Sequence, residues 1–163
     1  MDRIWSPWRM EYIEAHNDDD DHGACVFCAL LEEGGGSDRV LERRPLAFVT
    51  LAKYPYNPGH LLILPTRHVA DIEHLADDEA AEVHALLRKS IRVLGERTGP
   101  HGFNVGLNLG RPAGAGIPEH LHWHVVPRWG GDTNFMPVIG ETRVLPELLE
   151  QTYAKLAPGF GAA

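Results

Sequence analysis

The sequence predicts an α+β fold with a mainly antiparallel sheet of about five strands, one long helix and one or two shorter helices. Short apolar or alternating segments follow one another closely, and few helical segments separate them, which is not the alternation expected of a parallel sheet. A chain of 163 residues, of which 44% are hydrophobic and 23% charged, is long enough for one domain with its own core. We therefore treat residues 1–163 as a single domain.

Five segments have the length and composition of strands. RVLERR and PLAFVTLA lie on either side of a turn at 43–45, and LLILP occupies 61–65. HGFNVGLNLG and HLHWHVVP follow, around the glycine-rich loop RPAGAGIPE. The connection YPYNPGH is rich in turn residues, because each proline restricts the residue before it to extended geometry.

One long helix is predicted over 77–98. Acidic residues stand at its start and arginines near its end, which suits the helix dipole, and Gly99-Pro100 ends it. Its apolar residues recur at spacings of three and four and form one stripe: Val83, Leu86, Leu87, Ile91 and Leu94. Shorter helices are predicted at 25–33, ended by glycines 34–36, and at 144–157. Residues 1–24 are expected to form an N-terminal arm with a solvated acidic loop, HNDDDD, and residues 136–163 a C-terminal tail.

The net charge restricts the class of partner. At −8, the chain lacks the basic surface that a duplex nucleic-acid binder needs, although local donors could still hold a small phosphorylated ligand. No apolar run approaches the roughly 20 residues of a membrane helix. The N-terminus is too acidic and aromatic for a signal peptide, so we expect a soluble cytoplasmic protein.

The two cysteines, Cys25 and Cys28 in CVFC, have the spacing of half a zinc site or of a redox pair. A redox pair would be expected to open a helix in a thioredoxin-like unit, and no such pattern is visible. A zinc site would need two further ligands, for which histidines are the natural candidates. The alternative is a pair of reduced thiols packed as small apolar side chains.

The stretch PEHLHWHVVPRW places His120, His122 and His124 at every second position. A metal site, a catalytic face and chance among ten histidines are the alternatives. In a strand the three imidazoles would share one face, and the outer two would lie ~13 Å apart at ~3.3 Å per residue, too far to bind one ion. We therefore expect one end histidine to complete a metal site and the other two to face a substrate.

The loop before these histidines contains Asn108 and the small residues Gly114, Ala115 and Gly116. Small residues let backbone N–H groups approach phosphate oxygens. Alone, this loop could be only a hairpin turn. Beside a histidine strand, it indicates a phosphate pocket.

These motifs resemble the histidine-triad (HIT) family, whose pattern alternates three histidines with apolar residues. The resemblance spans roughly residues 24–135, through NPGHLLILPTRHV and the long helix, so that 25–135 would form a HIT core. WSPWRMEYI, YPYNPGH and PRWGGDTNF look most like a bacterial branch near the fragile-histidine-triad hydrolases, which includes actinobacterial diadenosine-tetraphosphate phosphorylases.

The resemblance implies roles for individual residues. His122 corresponds to the nucleophile that forms a nucleotidyl-histidine, with its other ring nitrogen held by a backbone carbonyl. His124 corresponds to a hydrogen-bond donor to phosphate, and His60 to a histidine close to the nucleophile. The phosphate loop corresponds to Asn108, Gly114, Ala115 and Gly116.

The resemblance also implies a structural zinc ion and no organic cofactor. In zinc-bearing relatives the ligands correspond to Cys25, Cys28, His68 and His120, a closed tetrahedral set. The implied partners are an adenosine polyphosphate, inorganic phosphate and a second copy of the chain in a two-fold dimer, without nucleic acid or membrane.

Two positions depart from the family pattern. Ala52 stands where relatives carry an Asp or Asn that contacts ribose, and Gly116-Ile117 where many carry Gln and then Ser or Thr. The missing glutamine would leave room for inorganic phosphate as the acceptor of the nucleotidyl group. We thus expect a phosphorylase that yields ATP and ADP. The alternatives are a hydrolase acting on dinucleoside polyphosphates or nucleoside phosphoramidates, and a nucleotide-binding signalling protein.

Overall fold

The structure is a computed structural model, and it describes residues 25–32, 39–133 and 145–161. The predicted N-terminal arm, glycines 34–36 and the start of the C-terminal tail lie outside the described residues.

The described residues form a five-stranded antiparallel sheet, as predicted. Along the sheet the strand order is β1-β2-β3-β5-β4, so the last strand in sequence lies between β3 and the edge strand β4. The bounds are β1 Val40–Arg43, β2 Ala47–Leu51, β3 Leu61–Pro65, β4 Gly102–Gly106 and β5 Trp123–Arg128.

Three α-helices lie in the described part of the chain: α1 Val26–Glu32, α2 Asp77–Thr98 and α3 Leu149–Phe160. Helices α1 and α2 occur where they were predicted. The prediction for α3 was wrong at both ends. The Leu148 N–H donates to Gln151 Oε1 at 3.0 Å and so caps a later start, while Phe160 is buried in the core and Gly161, at φ +85°, ends the helix. No described helix is long and apolar enough to cross a membrane.

Alternate residues of β2 and β3 point to opposite sides of the sheet, so both faces carry apolar side chains. Helices cover both faces. On one side α2 and α3 pack against a cluster that includes Val49, Leu61 and Ile63. On the other side α1 contributes Phe27 and Leu30 to a second cluster with Phe48, Ala52, Leu62 and Leu64. The short helix that carries both cysteines is thereby anchored to the sheet.

The predicted strand at the histidines was wrong in its start. Strand β5 begins at Trp123, so His124 lies in it, whereas His120 and His122 precede it. Pairing with β3 ends at Ile63↔Trp123 because the Pro65 carbonyl is 2.9 Å from the His120 imidazole, and Leu121 N–H donates to Val69 O at 2.8 Å. The three histidines therefore do not share one strand face, and the ~13 Å strand spacing does not apply to them.

Candidate active site and metal site

Cys25, Cys28, His68 and His120 form a group that could hold a metal ion. One ligand atom from each residue lies within 4.8 Å of the others. His120 Nδ1 is 3.5 Å from Cys25 Sγ and 3.7 Å from Cys28 Sγ, and His68 Nδ1 is 3.5 Å from Cys28 Sγ. Ligands bound tetrahedrally at the usual 2.0–2.3 Å are separated by roughly 3.3–3.8 Å, so these separations fit one ion.

The backbone prepares His120 for this role. Its Nε2 lies 2.9 Å from Pro65 O. Because a carbonyl oxygen only accepts, Nε2 carries the hydrogen, and the lone pair is on Nδ1, beside the two sulfurs. The side chain is fully buried, and burial lowers the pKa of His120, which favours this neutral form.

The two thiols are close enough to influence each other. Burial, followed by the neighbouring Cys25, raises the pKa of Cys28 to about 11. A second negative charge is thus unfavourable here unless a cation compensates for it. A divalent ion reverses this preference, since it stabilises thiolates.

His122 lies just before β5 and is only 7% exposed. Its Nδ1 is 2.8 Å from His120 O, so Nδ1 carries the hydrogen and Nε2 keeps a lone pair. Burial lowers the pKa of His122, which also favours the neutral imidazole. A neutral imidazole with an available nitrogen can act as a nucleophile.

His60 and His124 form a hydrogen-bonded pair. Tyr56 N–H donates to His60 Nδ1 at 3.1 Å, so in its neutral form His60 carries hydrogen on Nε2. That nitrogen is 2.9 Å from His124 Nδ1, which must accept, and the His124 hydrogen is therefore on Nε2. The backbone of Tyr56 thus sets the tautomer of both histidines, and the Tyr56 ring stacks on them at 4.8 and 5.8 Å.

The rings of His122 and His124 are neighbours, with centroids 5.1 Å apart. Phe27 of α1 contacts His122 at 5.2 Å and His120 at 5.6 Å. The group that could hold a metal ion and the His60–His122–His124 cluster are therefore separate, but both pack against Phe27, which lies between the two cysteines in the sequence.

The glycine-rich loop closes on itself. Asn108 Nδ2 donates to Gly114 O at 3.2 Å, and the backbone N–H groups of Gly114 and Ala115 donate to Arg111 O and Gly110 O at 2.9 and 3.3 Å. These two N–H groups therefore have acceptors within the loop. Ile117, next to Gly116, packs against the cluster that contains Phe27, which brings the end of the loop towards the histidines.

Ala52 is 4% exposed and belongs to the same cluster as Phe27. Its N–H donates to His60 O at 3.0 Å. The position at which relatives were expected to carry a ribose-binding polar side chain is thus an apolar contact beside the histidines.

Sequence reasoning assigned no site role to Phe27, Tyr56 and Asn57, which contact the histidines, or to Asp132, which contacts Asn57. Phe27 lies inside CVFC and Tyr56 and Asn57 inside YPYNPGH, so proximity to assigned residues was the available signal. For Asp132 no local signal existed, because its contact with Asn57 joins residues 75 positions apart.

Comparison with known proteins gives relatives along most of the chain. A family model described as HIT domain matches residues 35–131. The chain is 45% identical over 162 residues to a Mycobacterium tuberculosis protein named AP-4-A phosphorylase, a match that covers 96% of this chain and 83% of that protein. It is 30% identical over 106 residues to an adenosine 5'-monophosphoramidase of Schizosaccharomyces pombe, covering 64% of this chain and 74% of the relative.

Among solved structures, a Zn-bound histidine triad family protein from Mycobacterium smegmatis superposes with a TM-score of 0.68 and 26% identity. The superposition covers 85% of this chain and 94% of that protein. The family-model match, the 45% identity over most of the chain and the shared fold agree. The chain belongs to the HIT domain family.

Proposed function

We propose that the protein is a phosphorylase that cleaves diadenosine tetraphosphate with inorganic phosphate to ATP and ADP through a nucleotidyl-His122 intermediate. The observation that carries this proposal is the 2.8 Å contact of His122 Nδ1 with His120 O. It leaves the Nε2 lone pair of a buried, neutral imidazole for attack on phosphorus.

In the first half-reaction, His122 Nε2 attacks the α-phosphorus next to one adenosine. The P–N bond forms, the bond from that phosphorus to the bridging oxygen breaks, and ATP leaves with the bonding electrons. The imidazole ring becomes positively charged. Its Nδ1–H remains on His120 O, so the carbonyl dipole stabilises that charge.

In the second half-reaction, an oxygen of inorganic phosphate attacks the adenylyl phosphorus. The P–O bond forms, the P–N bond breaks, the electron pair returns to Nε2, and ADP leaves. The Nε2–H of His124, set by the pair with His60, is placed to donate to a nonbridging oxygen in both steps. Asn108 and the loop through Gly116 are proposed to surround the remaining phosphates.

The choice of phosphate as acceptor is supported by the relative named AP-4-A phosphorylase and by the segment Gly116-Ile117, which lacks the glutamine of many relatives. The S. pombe relative, named a monophosphoramidase, supports a second candidate: the same intermediate transferred to water. The two functions share His122 and differ only in the acceptor.

We further propose that the metal group binds Zn²⁺ as a structural ion, without a role in the chemical steps. A Cys₂His₂ set is closed and leaves no position for substrate. The ion would tie α1, and with it Phe27, to the segment before β5. Cysteines that form no disulfide fit a reducing compartment, so a cytoplasmic location belongs to the proposal.

A two-fold dimer is also proposed. Strand β4 pairs with β5 on one side and lies at the edge of the described sheet, so its other side is available for a second copy of the chain.

The test is incubation of the purified protein with diadenosine tetraphosphate, with and without phosphate, followed by separation of the nucleotides. We expect ADP only when phosphate is present. AMP formation irrespective of phosphate would replace the phosphorylase with the hydrolase. His122→Ala should abolish turnover and should no longer become labelled by the adenylyl group, whose bond to the histidine is acid-labile. His84 is an exposed histidine of α2, and His84→Ala should retain both turnover and labelling. Turnover by His122→Ala would overturn the covalent mechanism.

A further inference from the structure

Asn57, in the turn between β2 and β3, is tied to the far end of β5. Its side chain is buried, at 3% exposure. Nδ2 donates to Pro127 O at 2.9 Å and to Asp132 Oδ2 at 2.8 Å. Both contacts cross between segments that are distant in the sequence, so the position of the turn depends on β5 and on Asp132.

Asp132 is itself held from several sides. Arg128 donates through Nε to Oδ2 at 2.6 Å and through Nη2 to Oδ1 at 3.0 Å. Trp129 N–H donates at 3.2 Å, and Thr133 Oγ1 at 3.2 Å. These donors, Arg128 above all, hold the pKa of Asp132 well below its usual range. The carboxylate is therefore a fixed, charged acceptor for Asn57.

The turn connects this acceptor to the histidines. Asn57 O accepts from His60 N–H at 3.1 Å, and the preceding Tyr56 N–H donates to His60 Nδ1 at 3.1 Å. Any rotation of the turn about Asn57 would move both contacts. The second contact is the one that places hydrogen on Nε2 of His60 and then of His124.

We propose that Asp132 is a positioning residue: through Asn57 it holds the 56–60 turn in the arrangement that fixes the tautomers of His60 and His124. The inference rests on the proposed function in one respect only, since it takes His124 Nε2–H as the donor to phosphate. Asp132 does not touch the reacting atoms. Its effect is on the fraction of molecules in which His124 Nε2 carries the hydrogen that is donated to phosphate.

A purely structural role for Asp132, closing the end of β5, would lower stability without changing tautomers. Nitrogen-15 NMR distinguishes the two roles, because the ring nitrogens of a histidine have different shifts with and without hydrogen. In the wild type we expect Nε2–H tautomers at His60 and His124 and the Nδ1–H tautomer at His122. In Asp132→Ala, His60 and His124 should become tautomeric mixtures while His122 stays unchanged.

Kinetics supply the second readout. Asp132→Ala should lower kcat by roughly tenfold to a hundredfold, with a much smaller change in KM. This loss of kcat is smaller than the loss expected when the hydrogen-bond donor to phosphate is removed altogether. Asn57→Ala should reproduce both effects, and the double variant should be no worse than Asn57→Ala, because the two residues act in series. Asn104→Ala removes the other acceptor of Arg128, at 2.8 Å, and is the matched control that should change neither readout.

Unaltered tautomers in folded Asp132→Ala would overturn the inference, as would additive losses of kcat in the double variant. If Asp132→Ala does not fold, Asn57→Ala decides the question from the other side of the contact. The NMR readout needs no turnover, so it stands if diadenosine tetraphosphate is not a substrate. Failure of His122→Ala to lose activity, by contrast, would refute the proposed function alone.

Discussion

Gly59, immediately before His60, offers a test of how tightly the histidine turn is built. Its φ is +80°, a conformation that L side chains rarely adopt. A Cβ placed there would lie 3.1 Å from Leu94 Cδ2 and 3.3 Å from Pro127 Cγ. Both neighbours are buried, and Leu94 is fully enclosed, so neither can move freely.

The expected cost of Gly59→Ala has two parts. The left-handed backbone costs about 1–2 kcal/mol for a non-glycine residue. Overpacking against Leu94 and Pro127 adds about 1–3 kcal/mol. Gly99→Ala is the matched control, because Gly99 has φ +56° but nothing within 4 Å of the added Cβ, so only the first part applies.

Thermal unfolding measures the difference. With a shift of about 2–4 °C per kcal/mol for a domain of this size, Gly99→Ala should lower Tm by roughly 2–8 °C and Gly59→Ala by about twice as much. Gly59→Ala should also lower kcat, because the turn that carries His60 must shift, whereas Gly99→Ala should not. Equal Tm losses in the two variants would refute the argument from crowding.

Two further predictions concern the metal group and Glu79, which forms an ion pair with Arg67. Removal of zinc with a chelator should lower Tm in the wild type, and added Zn²⁺ should restore it, whereas Cys28→Ser should show neither response; a chelator without effect on a zinc-loaded protein would contradict the structural role. Glu79 accepts from Ala76 N–H at 2.9 Å and from Arg67 at 2.7 and 2.8 Å, which lowers its pKa below the ordinary 4.5, so Glu79→Gln should cost about 1–2 kcal/mol near neutral pH. The pKa of Glu79 is lower in the folded protein than in the unfolded chain, so its stabilising contribution is present above the ordinary pKa and is lost as pH falls through the folded value. The difference in Tm between the wild type and Glu79→Gln should therefore narrow below about pH 4. A difference that stays constant with pH would contradict the assignment.

Phe27 packs against both His120 of the metal group and His122, the proposed nucleophile. Helix α1 has only seven residues, so little of its stability is its own. A metal ion on its cysteines would fix the helix and thereby the ring that contacts His122. In this arrangement a structural ion would act on His122 only through the position of the Phe27 side chain.

Local patterns were sufficient for the elements whose signals are short in range. The stripe from Val83 to Leu94 recurs with the helical period, and α2 has the predicted bounds. The run LLILP is buried throughout and forms the central strand β3. By contrast, alternation at His120 and His122 predicted a strand that does not form there, because a side chain takes the carbonyl that the ladder would have used.

The sequence by itself determined the family pattern, the sheet and the long helix, since these follow from residue chemistry and local period. The four residues that come together as a possible metal site were implied by the resemblance to the family, because local spacing indicated only the two cysteines. Only the tertiary structure decided which nitrogen of each histidine carries hydrogen. Those hydrogens depend on His120 O, on Tyr56 N–H and on a pair of histidines 64 positions apart. The same holds for Asp132, whose partner is 75 positions away. Such contacts are created by strand pairing, and no short-range periodicity encodes them.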